Sequence, residues 1–324
     1  MSVAASTSLV TPMGQGLELQ RLLRLARGGK LPHAVLVEGA PGAGKTTALG
    51  WLTAALLCPS DLDADGPCGM CRTCRRIARR QHPDVHLLTL PEEKHDIPIG
   101  LVRESIDALM LRPVEGGARV LQIDPADRLN VEGHNALLKT LEEPGQATWL
   151  LLATSHPEGM PPTVLSRVQR VRLRPLDDAM LLLELRRRAP DQGRLHERAV
   201  QLAHGSLGFA LDLCTPQAAA HHDLATGLLD AGRAMKPIEA ARKALEGAGS
   251  GKDAAAAARG FLAVFRAVVQ QQMRDAIAAG GGGAAEPWAS LLECALDAGR
   301  DLDVHIPADQ ALCGMLLRAR AVWG

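Results

Sequence analysis

Residues 33–47 read HAVLVEGAPGAGKTT. Their first six residues are mostly apolar and predict a buried strand at 33–38. The next eight, Gly39-Ala40-Pro41-Gly42-Ala43-Gly44-Lys45-Thr46, fit G-x-x-x-x-G-K-[ST] at every fixed position. A helix is then expected from about Thr46 to Leu57. The residue types suit a loop that holds a triphosphate. Gly39, Gly42 and Gly44 admit backbone angles that turn N–H groups inward, and they let the chain approach phosphate closely. The helix start adds its dipole. Lys45 would reach the β and γ phosphates, the Thr46 hydroxyl would ligate Mg²⁺, and Thr47 completes the set assigned to the nucleotide. A strand before and a helix after separate this loop from an ordinary glycine turn.

Working outward, "DVHLLTL" (84–90), "ARVLQID" (118–124), "TWLLLAT" (148–154) and "RVQRVRL" (167–173) are short apolar or alternating runs, expected as further strands. Between them lie two helical patterns. One has Ile99, Val102, Ile106 and Leu109 at helical spacing; the other is "NVEGHNALLKTLEEP", stopped by Pro144. Strand and helix alternate through residues 1–175, which predicts a doubly wound α/β domain with a parallel sheet. Beyond Pro175 the strand signals stop. Residues 176–213 read as short helices broken at "RAPDQG" and "HGSLG", and 214–324 as an Ala/Leu-rich helical bundle. Loops are expected at "EGAGSGKD" and at the glycine run 280–283, the latter flexible. The third strand delivers Asp124 as a partner for the Mg²⁺ shell. A hydrolase would be expected to carry a second carboxylate next to it, and the residue there is Pro125.

Cys58, Cys68, Cys71 and Cys74 place four thiols within 17 residues, in a polar stretch with no core of its own. Such spacing suits one tetrahedral Zn²⁺ that pins the loop. A redox pair would usually open a helix in a thioredoxin-like unit, and none is evident. A deaminase would need an upstream H-x-E, which is missing. Arg72, Arg75, Arg76, Arg79 and Arg80 follow at i, i+3, i+4, i+7, i+8, one face of a helix. That stripe suits a solvated face or a contact with phosphates or an acidic partner. Cys214, Cys294 and Cys313 sit in apolar helical settings as small core residues.

Composition bounds the rest. Lys+Arg and Asp+Glu number 36 each, so the chain does not attract polyanions in bulk. With three Phe, four Trp and no Tyr, it lacks stacking aromatics and must build its core from Leu, Val and Ala. No apolar run reaches the ~18–20 residues that cross a bilayer, and residues 1–15 lack the pattern of a secretory signal. Seven cysteines, an odd number with four of them clustered, suit a reducing compartment, and the cytoplasm is the expected location.

Taken together, "LPHAVLVEGAPGAGKT", the four-Cys insert, "HPDVHLL", "NALLKTLEEP" and "LLATSHPEGMPPTVLSRVQR" resemble the bacterial clamp-loader branch of the AAA+ proteins. The resemblance covers about residues 17–215 well. It implies an AAA+ P-loop domain at 1–175 with a zinc module at 58–74, a helical lid at 176–213, and an all-α collar at 214–324. It also implies a five-membered ring with motor and other subunits, which opens a sliding clamp and places it on primer-template DNA. ATP sites in that family lie between neighbours, one of which supplies an arginine from an S-R-C motif. Ser166-Arg167-Val168 stands there, so Arg167 is the expected arginine finger in trans. Thr154 falls at the family's sensor 1 place, with Ser155 beside it. Two departures stand out: Pro125 replaces the carboxylate that polarises water, and Gly208 stands where the lid pattern G-S-x-R-x-A-L has its arginine. The resemblance therefore implies a stator that binds ATP with little or no hydrolysis of its own. The competing readings are an ATP-hydrolysing motor subunit and a zinc-dependent nucleic-acid adaptor.

Overall fold

The computed structural model describes residues 9, 11–27, 30–60, 66–91, 94–115, 117–280 and 285–322. The chain divides into two compact units, Met1–Leu176 and Asp177–Gly324.

The first unit is built on five parallel strands: β1 (Ala34–Glu38), β2 (Val85–Thr89), β3 (Arg119–Asp124), β4 (Thr148–Thr154) and β5 (Gln169–Arg172). Their order across the sheet is β2-β3-β4-β1-β5. Successive strand residues point to opposite faces, and both faces are apolar here. Ala34, Leu36, Leu121, Ile123, Leu150 and Leu152 pack on one side against Val102 and Leu109 of α4 (Ile99–Leu109) and Leu137 and Leu141 of α5 (Val131–Glu142). Val35, Val37, Val120, Leu151 and Ala153 pack on the other against Leu19 and Leu22 of α1 (Gly16–Arg27) and Ala48, Trp51 and Leu52 of α2 (Lys45–Leu57). Helices on both faces make the unit doubly wound, as expected. Its carboxyl strand ends bring Glu38, Asp124 and Thr154 to one edge, where the loop after β1 begins. The Asn130 side chain caps α5 by accepting from the Gly133 N–H at 2.8 Å, and the helix ends just before Pro144.

Two expected elements are shorter. Helix α3 covers only Arg72–Ala78, because Arg80 turns to a left-handed φ of 56° and takes the arginine stripe off the helix face. Pro161 and Pro162 open a one-turn helix, α6 (Pro162–Leu165), so Arg167 precedes β5 as part of a turn, its N–H donating to Val164 O at 3.0 Å.

The second unit is helical, with no strand among its described residues: α7 (Asp178–Arg188), α8 (Gly193–Ala203), α9 (Leu207–Leu213), α10 (Pro216–Ala231), α11 (Pro237–Ala244), α12 (Lys252–Gly280), α13 (Glu286–Asp303) and α14 (Ala308–Val322). Asp177, Ser206 and Thr215 cap α7, α9 and α10 through their side chains. Phe261, Phe265, Leu291, Leu312 and Leu316 are buried in its core. Cys214 and Cys294 are buried and Cys313 half-buried. Gly280 ends α12, and the rest of the glycine run, 281–283, lies outside the described residues. Among the described residues no helix is long and apolar enough to cross a membrane.

Candidate functional site

The glycine loop leaves β1 at Glu38 and enters α2 at Lys45. Gly42 and Gly44 take φ values of 75° and 91°, the left-handed region that side chains disfavour. A Cβ on Gly44 would meet nothing within 4 Å, so backbone angle rather than space demands glycine there. The Gly39 N–H donates to Thr154 O at 3.3 Å, which ties the loop to the end of β4. Lys45 is buried, and its Nζ donates to the carbonyls of Gly39 and Ala40, each at 2.9 Å. Burial pulls its pKa down, while the carboxylates of Asp124 and then Asp127 act against that. The Thr46 hydroxyl donates to Asp124 Oδ2 at 2.6 Å across 78 residues of sequence. Hydroxyl and carboxylate therefore meet at the helix start, as a Mg²⁺ shell for a phosphate chain requires. The groups present fit a magnesium nucleotide: a glycine loop with left-handed turns at Gly42 and Gly44, one buried ammonium, one hydroxyl and one carboxylate.

Pro125 follows Asp124 and offers no acid. Asp127, which the reading of the sequence passed over, is the second carboxylate here. Its Oδ1 accepts the Thr154 hydroxyl at 2.6 Å, and its Oδ2 lies 3.3 Å from His156 Nδ1. Thr154 is fully buried, and its Oγ1 also accepts the His156 N–H at 3.0 Å. The D-x-x-D spacing of Asp124 and Asp127 was the available signal. Thr47 lies in the first turn of α2.

Cys58, Cys68, Cys71 and Cys74 converge, with their sulfurs all within 4.8 Å of one another. Cys58 and Cys71 Sγ are 3.9 Å apart, and Cys68 and Cys74 Sγ 4.0 Å. Four sulfurs at ~2.3 Å from a tetrahedral centre stand about 3.8 Å apart, so the cluster fits one metal ion. Backbone N–H groups of Cys71 and Cys74 donate to the sulfurs of Cys68 and Cys71, each at 3.3 Å. Hydrogen bonds with the Ser60 side chain and from the N–H groups of Cys71 and Met70 bring the Cys68 thiol down to about 6. Burial pushes Cys74 up.

Among the described residues the side chain of Arg167 contacts Thr163, Ser166 and Glu142. Its guanidinium donates to Thr163 O at 2.9 Å and pairs with Glu142 at 2.7 Å, where its side chain is 36% exposed.

A glycine loop on a doubly wound parallel sheet, with the Thr46–Asp124 pair at its mouth, defines the fold of the P-loop class. The family model described as "DNA polymerase III, delta subunit" matches residues 14–177. The chain belongs to that family. Among its relatives, the DNA polymerase III subunit tau of Escherichia coli (strain K12) is 32% identical over 252 residues, 74% of this chain and 37% of tau. The DNA polymerase III subunit delta' of the same strain is 33% identical over 196 residues, 60% of this chain and 58% of that one. The delta' subunit of Pseudomonas aeruginosa PAO1 is 36% identical over 176 residues, 54% and 53% of the two chains. The chain thus spans between 37% and 58% of the length of these relatives.

Proposed function

We propose that this chain is a stator subunit of a bacterial DNA polymerase III clamp loader of AAA+ type, in the place its delta' relatives are named for. In this reading Gly39, Gly42, Gly44, Lys45, Thr46 and Thr47 hold ATP, Asp124 and Thr46 hold its Mg²⁺, and Thr154 stands at the end of the phosphate chain. Cys58, Cys68, Cys71 and Cys74 hold a structural Zn²⁺. Residues 176–213 act as the lid and 214–324 as the collar that joins a five-membered ring with motor subunits. Through that ring the chain helps place the sliding clamp on primer-template DNA.

One observation carries the reading. The Thr46–Asp124 pair is in place at 2.6 Å, yet Pro125 occupies the next position. Phosphoryl transfer needs positioning, charge neutralisation and an oriented water. The first two are supplied here, and the third has no free acid. A motor would need Asp127 to orient water, but its Oδ1 already accepts the Thr154 hydroxyl and its Oδ2 faces His156.

Arg167 then serves a neighbour's site. Its present partner Glu142 is 53% exposed. Such pairs contribute ~0–1 kcal/mol, so exchanging the carboxylate for a phosphate is cheap. In rings assembled with Arg167→Ala, DNA-stimulated ATPase is expected to fall by ~10³ or more at the affected site, while zinc content and this chain's own nucleotide affinity stay unchanged. Arg167→Lys is expected to rescue poorly, because a point charge lacks the guanidinium fork. Equal rates in wild-type and mutant rings of confirmed assembly would remove the trans role.

A further inference from the structure

The arginine stripe beside the cysteines is not absorbed by this reading, and one of its members goes elsewhere. Arg80 follows the end of α3, where its φ of 56° turns the chain out of the helix. Its N–H donates to Ile77 O at 2.9 Å, and the Gln81 N–H to Arg76 O at 2.8 Å, closing the helix end. The turn makes Arg80 a wall of a small cavity shared with Thr46, Gly50, Ile77, Gln122 and Asp124. That cavity measures about 40 Å³, too small for a nucleoside but of the size of a few waters. Asp124, Arg80 and His82 are its ionisable residues, and Val85, Leu87 and Leu88 of β2 add an apolar wall. Arg80 is exposed and forms no ion pair among the described residues, so its charge is uncommitted.

A non-glycine residue in the left-handed region costs free energy that glycine at this turn would avoid. Arg80 bears that cost, and it lines the same cavity as Thr46 and Asp124. Lys45, by contrast, is turned onto the carbonyls of Gly39 and Ala40.

We propose that Arg80 is a further nucleotide-binding residue, a cation that neutralises phosphate at the Mg²⁺ side of the site and shares that charge load with the metal. The inference rests on the nucleotide reading above. It also ties the cysteine module to the nucleotide. Cys71 caps the start of α3 and Cys74 lies in its first turn, while Arg80 stands two residues past its end. Seven helical residues at ~1.5 Å each make a strut of about 10 Å between the sulfurs and the phosphate loop. The buried side chains of Cys74 and Ile77 hold that strut against α2 and β2.

The test is equilibrium ATP binding by zinc-loaded protein, in Mg²⁺ buffer and in Mg²⁺-free buffer without chelator, which would strip the zinc. Wild type, Lys45→Ala, Arg80→Ala and Arg80→Gly are compared. Wild type should lose only a few-fold in affinity without Mg²⁺, and both Arg80 variants about tenfold more, the size of one charge-assisted contact. Arg80→Gly should also raise the melting temperature by about 2–4 °C, since glycine relieves the turn, which separates lost charge from lost fold. Arg80 variants that bind as wild type does in both buffers, alongside a weakened Lys45→Ala, would overturn the role of Arg80 alone. Absence of binding by wild type, equal to Lys45→Ala, would overturn the nucleotide reading and Arg80 with it.

Discussion

The glycine loop and the cysteine module lie at opposite ends of α3 and depend on different things. The loop is set by the fold. It hangs between a strand buried along its whole length and a helix whose Ala48, Leu49, Trp51 and Leu52 are core, and Thr46 already meets Asp124. The module has little of its own to hold it. Its apolar cluster is Ala54, Cys74 and Ile77, with half-buried neighbours that include the other three cysteines. One region is preorganised by packing; in the proposed reading the other is held by its metal. Perturbations that leave the first intact should therefore dismantle the second, and the reverse.

Metal removal should have the largest effect. Structural zinc contributes about 10–16 kcal/mol of apparent binding free energy in small zinc modules. Chelation, or Cys74→Ser, is expected to abolish amide-exchange protection across residues 66–80, while β1 and β4 keep theirs. Protection lost equally in both regions would mean that the module holds up the sheet, and the contrast would fail. Lys45→Ala should do the reverse. Loss of a charged donor to phosphate costs about 1.5–3 kcal/mol, roughly 10- to 100-fold in ATP affinity by titration, with zinc content unchanged.

The smallest effect should be acidification, which reaches both regions. Burial lowers the pKa of His134, at the start of α5 near Asp127, against the opposing hydrogen bond with Asn130 and the charge of Asp127. Burial likewise lowers His82 beyond α3, against the charges of Glu115 and Asp84 and with help from Arg76. Each is lower folded than unfolded, so protons favour the unfolded chain. Their contribution to stability is fully present above about 6.5 and is lost as pH falls through the folded value. The melting temperature should fall below that pH, and His134→Gln should flatten the slope. A melting temperature that rises on acidification would contradict this assignment.

Much of the contrast was legible beforehand. The strand pattern, the loop, Asp124 and the four cysteines are local signals, carried by alternation, by glycine positions and by C-x-x-C spacing. Strand-forming runs stop at Pro175, and the structure divides into its two compact units after Leu176. Less local features were not legible. Asp127 becomes part of the site because the turn after Asp124 brings it to Thr154, 27 residues away. Glu142 becomes the partner of Arg167 only when α5 lies beside the turn after α6. Arg80 reads as one more position of a helical stripe until its own left-handed φ makes it part of the cavity that Thr46 lines. Helical periodicity extends past the true end of α3, and nothing in the order of residue types marks where the backbone changes hand.

The central claim is that this chain holds a nucleotide it does not turn over. The most direct test is to measure Mg-ATP binding and steady-state hydrolysis on one preparation of the isolated, zinc-loaded chain, with Lys45→Ala as control. The account predicts saturable binding that Lys45→Ala weakens, together with turnover indistinguishable from that control. Sustained multiple-turnover hydrolysis by the isolated wild-type chain, lost in Lys45→Ala, would contradict it and make the protein a motor.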